Sequence, residues 1–410
     1  MLDEHTMHIV KSTAPILQAH GETLTRHFYQ RMFKHNPEVA PLFNSSNQSA
    51  GTQQRALAGA IAAYAANIDN LGELSEAVEL IAQKHVSLQI KPEHYPIVGE
   101  NLLCSIKEVL GDGATDEVIS AWGEAYNFLA NILMGREKQI YETNTQQPGG
   151  WEGFRTFRVE RKVAESNNIT SFYLVPEDGL PLPTFKPGQY LTVRVSLPDG
   201  STTMRNYSLS DKPGKPYFRI SVKREYAVEA NTPDGYVSSL LHQSVQVGQH
   251  LEIAAPCGEF YLDTTKQHHR PLALLGAGVG ITPIMSILLS ALEAMPDREI
   301  IFIHASLNES VQAFKPTLDD LAKKHPNLKL HYRYSEPDVI PNSVNTSAGF
   351  VTSDLLESML PSREADYYFC GPKPFMATIY RNLLKWDIPA AQLNFEFFGP
   401  REELEVLAQN

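Results

Sequence analysis

The chain has 410 residues, 42% of them hydrophobic and 20% charged, with a formal net charge of -12. That length exceeds one hydrophobic core and predicts three domains, while the ordinary globular composition excludes a disordered or low-complexity chain. Acidic residues outnumber basic ones both before and after residue 147, which argues against nucleic acid or an anionic membrane as the main partner. Three widely spaced cysteines, Cys104, Cys257 and Cys370, form no visible disulfide framework or zinc cluster and suit a reducing cytoplasm. Met1 to Lys11 lacks the basic start and apolar run of a signal peptide. No window approaches the ~18 apolar residues of a spanning helix, so a cytoplasmic protein without a transmembrane segment is expected.

Residues 1–147 read as an all-α domain. Apolar residues recur at helical spacing in Ile9 to Leu17, Leu24 to Phe33, Leu57 to Ile68, Leu74 to Leu88, Ile97 to Leu110 and Val118 to Ile140. Breaks fall at Gly21, Asn36-Pro37, Lys91-Pro92 and Gly111-Asp112-Gly113. Two of these helices carry a polar residue where an aliphatic one belongs. Leu74, Val78, Ile81, His85 and Leu88 form one stripe, which points the His85 imidazole inward. Such a residue is a satisfied core histidine, the commoner case, or a metal ligand. Trp122, Tyr126, Leu129, Leu133, Glu137 and Ile140 form the other, where Glu137 is either buried with a partner or turned to solvent at the edge. A buried histidine and a buried carboxylate satisfy each other. At a metal centre that pairing makes the second imidazole nitrogen more basic toward the metal, and at haem iron it favours oxygen activation over storage. The Pro-, Asn- and Ser-rich stretch from Asn36 to Thr52 keeps Phe43, which reads either as core or as a ring packed on a flat cofactor.

Tyr29 in His27-Phe28-Tyr29, Phe43 in Leu42-Phe43-Asn44, Gln53 and Leu57 opening a helix, Lys84-His85, Tyr95 and Glu137 together resemble the globin half of bacterial and yeast flavohaemoglobins. The resemblance implies haem b, with His85 as the proximal iron ligand and Glu137 and Tyr95 as its hydrogen-bonding partners. It also implies that Tyr29, Gln53 and Leu57 line the distal oxygen pocket, and that Phe43 and Lys84 belong to the cofactor contacts. A phenol at Tyr29 is a suitable donor to a negatively charged oxygen ligand where water is excluded. Taken alone, Tyr29 also reads, as the less common case, as a core tyrosine with its hydroxyl at the rim.

Asn144 to Gly153 reads as a linker, and beyond it the pattern changes to short strands. Phe157 to Lys162, Ile169 to Val175, Tyr190 to Ser196, Tyr207 to Leu209, Tyr217 to Lys223 and His250 to Ile253 predict a small antiparallel β-barrel over residues 148–265. Arg205-Asn206-Tyr207-Ser208 supplies a guanidinium for pyrophosphate, a tyrosine for a flat ring and a hydroxyl, although four such residues also occur in ordinary strands. Lys186-Pro187-Gly188-Gln189-Tyr190 precedes it. Downstream, Asp234-Gly235-Tyr236-Val237-Ser238 opens a helix, where backbone donors and the helix dipole favour an anion. Together these resemble the FAD domain of the ferredoxin-reductase family, which implies FAD held by Tyr190, Arg205, Asn206, Tyr207, Ser208, Gly235, Val237 and Ser238. The loop from Glu225 to Pro233 is longer than that family's usual loop.

Residues 266–410 alternate strands and helices and predict an α/β domain with a parallel sheet. Gly276-Ala277-Gly278-Val279-Gly280-Ile281-Thr282-Pro283 follows the first strand directly and opens a helix. It departs from G-x-G-x-x-G, because Ile281 stands where the third glycine belongs, yet its context suits a phosphate loop. Cys370-Gly371-Pro372 and Glu396-Phe397-Phe398-Gly399 resemble the nicotinamide shelf and the flavin-stacking aromatic of ferredoxin reductases and flavohaemoglobins. Cys370 also reads as a plain buried strand thiol. The cofactor is NADH or NADPH. His304 to Glu309, at a strand end, offers no Arg or Lys for a 2′-phosphate, which leans toward NADH.

Nearly all 410 residues are covered by the resemblance to flavohaemoglobins. It implies an NAD(P)H-dependent nitric oxide dioxygenase, a monomer whose small-molecule partners are O2, nitric oxide and NAD(P)H. Two rivals stay open: an oxygen-binding or sensing globin, and a haem-dependent peroxide or lipid hydroperoxide reductase with lipid in the distal pocket.

Overall fold

The computed structural model describes residues 2–43, 52–226, 234–266, 269–339 and 343–397, apart from the side chains of Thr52 and Gln53. The chain divides into two compact units, residues 1–153 with 194–205, and residues 154–193 with 206–410.

The first unit is built on α1 (Glu4–Ala19), α2 (Gly21–His35), α3 (Thr52–Ala66), α4 (Ser75–Ser87), α5 (His94–Leu110) and α6 (Asp116–Gln146). Asp3 caps α1 by accepting from the Thr6 N–H at 2.7 Å, and the Thr115 hydroxyl caps α6 through the Val118 N–H at 3.3 Å. Val10, Leu24, Phe28, Met32, Ile106 and Trp122 are among the core side chains. At 31 residues α6 is the long axis of the unit, roughly 46 Å by the helical rise. It runs into the stretch that its composition marks as linker. Thr143 and Thr145 return their hydroxyls to the carbonyls of Gln139 and Tyr141, so these polar side chains stay within the helix rather than ending it.

The α4 stripe needs a correction. Leu74 belongs to a preceding 3-10 turn, Leu71–Leu74, and the residues of α4 that the protein buries are Ala82, Gln83, Val86 and Ser87. Val78, Ile81 and His85 lie one step round the helix and are half-buried, with Val78 and Ile81 packed against the cluster of Tyr95, Ala130 and Leu133.

Two six-stranded sheets follow the helices in the chain. The first contains β1 (Phe154–Ala164), β2 (Ile169–Pro176), β3 (Tyr190–Ser196), β4 (Thr202–Ser208), β5 (Phe218–Lys223) and β6 (His250–Cys257), in the order β4-β3-β6-β1-β2-β5. Its β1–β2, β1–β6 and β2–β5 pairs are antiparallel. A bridge between Leu209, just beyond β4, and Ile220 on β5 joins the two ends of that order and closes the sheet into a barrel. Helix α7 (Tyr236–Gln243) lies between β5 and β6 in the chain.

The second sheet has β7 (Leu272–Ala277), β8 (Ile300–Ser306), β9 (Leu328–Tyr334), β10 (Thr346–Ala348), β11 (Asp366–Cys370) and β12 (Leu393–Glu396), ordered β10-β9-β8-β7-β11-β12 with parallel pairs. Helices α8 (Ile281–Ala294), α9 (Lys315–Lys324), α10 (Ser353–Met359) and α11 (Lys373–Lys385) connect its strands. Barrel and parallel sheet share a core, in which Ile169, Phe260 and Leu262 pack with Leu274, Ile284 and Phe302. The buried Ser286 hydroxyl donates to the Asp211 carbonyl at 2.7 Å across the same boundary.

Candidate functional site

In the helical unit His85 comes from α4, Tyr95 from the first turn of α5 and Glu137 from α6. Glu137 is 3% exposed, which settles its placement on the buried side of the stripe. One carboxylate oxygen accepts from His85 Nδ1 at 2.7 Å and from the Tyr95 hydroxyl at 2.5 Å. The Tyr95 oxygen also lies 3.1 Å from Nδ1. A carboxylate buried without donors costs several kcal/mol, and these two donors offset that cost. Burial, and then the Glu137 carboxylate, hold the Tyr95 phenol far above its ordinary pKa, so it remains a donor.

With Nδ1 occupied, His85 Nε2 makes no hydrogen bond among the described residues. It sits on a face where the His85 side chain is 32% exposed and Val78 and Ile81 are half-buried. These residues fit a haem. An imidazole held by a carboxylate at Nδ1 offers Nε2 as a basic nitrogen to iron, and half-buried apolar side chains suit a flat apolar ring.

Tyr29 on α2 is 7% exposed, its hydroxyl has no hydrogen-bond partner among the described residues, and burial raises its pKa. Its ring meets Phe28 and Phe43 edge-on, with centroids 4.9 and 5.6 Å away. Leu57 and Phe43 are half-buried against the same cluster. Tyr95 belongs to a second cluster with Ala130 and Leu133, and Tyr126 and Leu129 touch both clusters. Lys84 is exposed, and the Gln53 side chain lies outside the described residues.

In the barrel, Tyr190 is buried at the start of β3, and Gly258, at φ +123, lies so close that a Cβ there would come within 3.0 Å of its ring. The Asn206 side-chain oxygen accepts from the Thr192 hydroxyl at 2.8 Å, which ties β4 to β3. Arg205 donates to the Met204 carbonyl at 2.7 Å and to the Thr203 hydroxyl at 3.1 Å. Tyr207 is half-buried and Ser208 buried. At the start of α7, Val237 is buried and the Ser238 hydroxyl donates to the Gly235 carbonyl at 3.0 Å while accepting from the Glu225 N–H at 3.2 Å. The hydroxyl therefore spends its proton on the turn itself, and any anion there meets the backbone N–H groups first. Residues 227–233, most of the loop that looked long in the sequence, lie outside the described residues.

In the parallel sheet, Gly276 on β7 is paired with Cys370 on β11, so the turns that follow these strands lie side by side at the carboxyl edge. They interlock. A Cβ on Gly280 would fall 2.2 Å from the Cys370 carbonyl oxygen, and one on Gly371 would fall 2.6 Å from the Phe375 ring and 2.8 Å from Ala277. Gly278 adopts φ +53 with open space around it. The Thr282 hydroxyl donates to the Val279 carbonyl at 3.0 Å, Pro283 is buried in the first turn of α8, and Pro372 caps α11. Cys370 is fully buried, and burial followed by Glu396 pushes its thiol well above the usual range, so it is inert as a nucleophile. Phe398 and Gly399 lie outside the described residues, as does the tail that follows them.

One residue escaped the sequence reasoning. His304 on β8, opposite Gly276, is fully buried, and neither ring nitrogen has a well-formed hydrogen bond among the described residues. Burial pulls its pKa down to about 4, opposed in part by the Gly278 backbone. Its strand end signals for a missing cation, and nothing in the linear pattern marks the histidine itself.

Helices that hold an imidazole against a carboxylate, followed by a flavin-type barrel and a nucleotide-type parallel sheet, define a redox enzyme that couples a nucleotide-reduced flavin to haem. Three family profiles match in that order: Globin over residues 26–133, Oxidoreductase FAD-binding domain over 156–261 and Oxidoreductase NAD-binding domain over 274–381. The chain is 50% identical over 408 residues to the flavohemoprotein of Rhodopirellula baltica, covering 98% of this chain and 99% of that one. It is 44% identical to the flavohemoprotein of Bacillus subtilis, again over 98% and 99%. The crystal structure of flavohemoglobin from Malassezia yamatoensis with bound FAD and heme superposes with a TM-score of 0.84 at 26% identity, over 97% of this chain and 100% of that one. The chain belongs to the flavohemoprotein family. Among the described residues no helix is long and apolar enough to cross a membrane.

Proposed function

We propose that the protein is a nitric oxide dioxygenase, converting nitric oxide and O2 to nitrate with electrons drawn from NAD(P)H through FAD. The observation that carries this reading is the His85–Glu137–Tyr95 constellation: a carboxylate on Nδ1 enriches the ligand nitrogen, which favours oxygen activation over storage. A solved FAD/NAD-binding domain described as that of a nitric oxide dioxygenase from Vibrio cholerae supports it, with 32% identity, a TM-score of 0.54, and 60% of this chain matched to 99% of that one.

On this reading haem would supply iron for the reaction of O2 with nitric oxide, and His85 would hold it through Nε2. Glu137 and Tyr95 fix the imidazole tautomer and orientation. Tyr29, whose hydroxyl has no partner among the described residues, would donate to oxygen bound there, with Gln53 and Leu57 lining the same pocket and Phe43 and Lys84 among the cofactor contacts. FAD is held by Tyr190, Arg205, Asn206, Tyr207, Ser208, the Gly235 turn with Val237 and Ser238, and Phe398 with Gly399. The nucleotide binds at Gly276, Gly278, Gly280, Thr282, Pro283 and the Cys370-Gly371-Pro372 turn. Functional domains then run over residues 1–147, 148–265 and 266–410. The protein works as a cytoplasmic monomer, a setting in keeping with its three free cysteines.

Aerobic holoprotein supplied with NADH and nitric oxide should sustain many turnovers to nitrate. Consumption limited to a single turnover, as in a plain globin, would sink the dioxygenase reading. Tyr29→Phe should speed O2 release by roughly 10- to 100-fold, the worth of one hydrogen bond to a charged ligand, read by stopped-flow.

A further inference from the structure

Lys162 stands inside β1, half-buried, and neither a cofactor contact nor core packing accounts for its ammonium group. The ammonium reaches the C-terminal end of α7 and donates to three main-chain carbonyls, Val245 at 2.6 Å and Leu241 and His242 at 3.3 Å each. Burial lowers its pKa, so the group gives up solvation to make these contacts. Its nitrogen also lies 4.9 Å from the centre of the ring of Phe172, the residue paired with Lys162 across β1 and β2. His242, in the last turn of α7, adds a second hold. Its Nε2 donates to the Val222 carbonyl on β5 at 2.8 Å, and its ring meets Phe172 edge-on.

The two ends of α7 are finished differently. At the C-terminal end each of the last four carbonyls has a donor: Leu240 from the Ser244 and Val245 N–H groups, Leu241 and His242 from Lys162, and Gln243 from the Gln246 side-chain amide at 3.2 Å. At the N-terminal end no side chain caps the helix, and the N–H groups of Val237 and Ser238 have no acceptor among the described residues. With eight residues α7 is shorter than the ~12 that a helix needs to hold itself, so its direction depends on what grips it. A cation at the carboxyl end also complements the helix dipole, whose positive end then faces any anion at the open turn.

We propose that Lys162 and His242 are positioning residues for the flavin: by holding the C-terminal end of α7 against β1 and β5, they aim the Val237 and Ser238 N–H groups at the diphosphate of FAD. The proposal rests on the reading that FAD meets the protein at the Gly235 turn. It places the support for that contact about two helical turns, roughly 12 Å, behind the residues that face the cofactor.

The test titrates full-length, haem-loaded protein with FAD and, separately, with riboflavin, which shares the flavin ring and lacks phosphate, and reads both affinities from flavin fluorescence. Lys162→Met keeps the stem over Phe172 and removes the ammonium. It should lower the ratio of FAD to riboflavin affinity roughly 10-fold, the scale of one charge-assisted hydrogen bond, and Lys162→Arg should keep most of the ratio. An unchanged ratio in Lys162→Met would overturn the proposal, and so would an equal loss of both affinities, which makes Lys162 a packing residue of the barrel. If Lys162→Met does not fold, His242→Phe keeps a ring beside Phe172 and removes the bond to Val222; the ratio should fall in the same sense, and an unmoved ratio refutes the positioning role. Tyr236→Asp separates the two readings, because it sets a carboxylate at an exposed position in the first turn of α7. A ratio unchanged there removes the FAD diphosphate from this turn, whereas a ratio that falls there and holds in Lys162→Met removes the positioning role alone.

Discussion

On the function proposed above, the proximal constellation in the helices and the paired glycine turns of the parallel sheet would solve the same problem, holding a cofactor rigidly, by opposite means. In the first, side chains 10 and 52 residues from His85 bring their polar atoms onto one imidazole nitrogen, and the second nitrogen is left over. In the second the side chains are absent by design: Gly280 and Gly371 let two turns approach to distances no Cβ permits. The difference teaches that a redox-tuned ligand needs directed polar contacts, whereas a site for a long, repeatedly exchanged nucleotide needs backbone brought close and kept in shape.

The sharpest way to break the comparison is to delete the ligand nitrogen. His85→Ala should abolish normal haem ligation in the Soret spectrum and lower nitric oxide turnover by more than about 100-fold, beyond the usual effect of losing an outer partner. Flavin reduction by NADH, followed by bleaching of the flavin band, should persist. Glu137→Gln keeps an acceptor but removes the charge. Turnover should fall roughly 10- to 100-fold with haem retained, and the ferrous iron–histidine band should move to lower frequency as the imidazole loses basicity.

Gly280→Ala tests the other region. The methyl must displace the Cys370 turn, an overpacking worth roughly 1–3 kcal/mol, and NADH-driven flavin reduction should slow with the carbon monoxide spectrum of the haem unchanged. Reduction at the original rate would mean that the interlocked turns do not shape the nucleotide site. The smallest effect belongs to His304. Its native pKa, about 4, lies below the ordinary 6.5, so the native state resists a proton that the unfolded chain accepts. Stability tied to neutral His304 is whole above pH 6.5 and is lost as pH falls toward 4, at roughly 1.4 kcal/mol per pKa unit. His304→Leu should flatten the acid side of the melting-temperature profile in that window, and an identical slope would show that another group carries it.

These four substitutions also mark how much the sequence disclosed. Glycine turns and the strand–turn–helix context around Gly276 are local, so residues adjacent in the chain are adjacent in the site, and their placement was legible. His85 and Glu137 were legible only as misfits on two apolar stripes. Periodicity could locate each stripe; on α4 the stripe residues Val78 and Ile81 pack beside Tyr95, Ala130 and Leu133 while staying half-buried, and Ala82 and Val86 are buried next to them. The Ser238 hydroxyl, suited in sequence to an anion, turned out to bond its own turn.

The sequence by itself determined the order of helical, barrel and parallel-sheet regions, since hydrophobic period and turn residues are properties of neighbours in the chain. Tertiary structure decided the rest. Only packing could put the Glu137 oxygen 2.7 Å from His85 Nδ1, merge barrel and sheet in one core, and bury His304 completely. Each of these is a contact between residues far apart in sequence, whose directions are fixed by how whole helices and strands lie on one another.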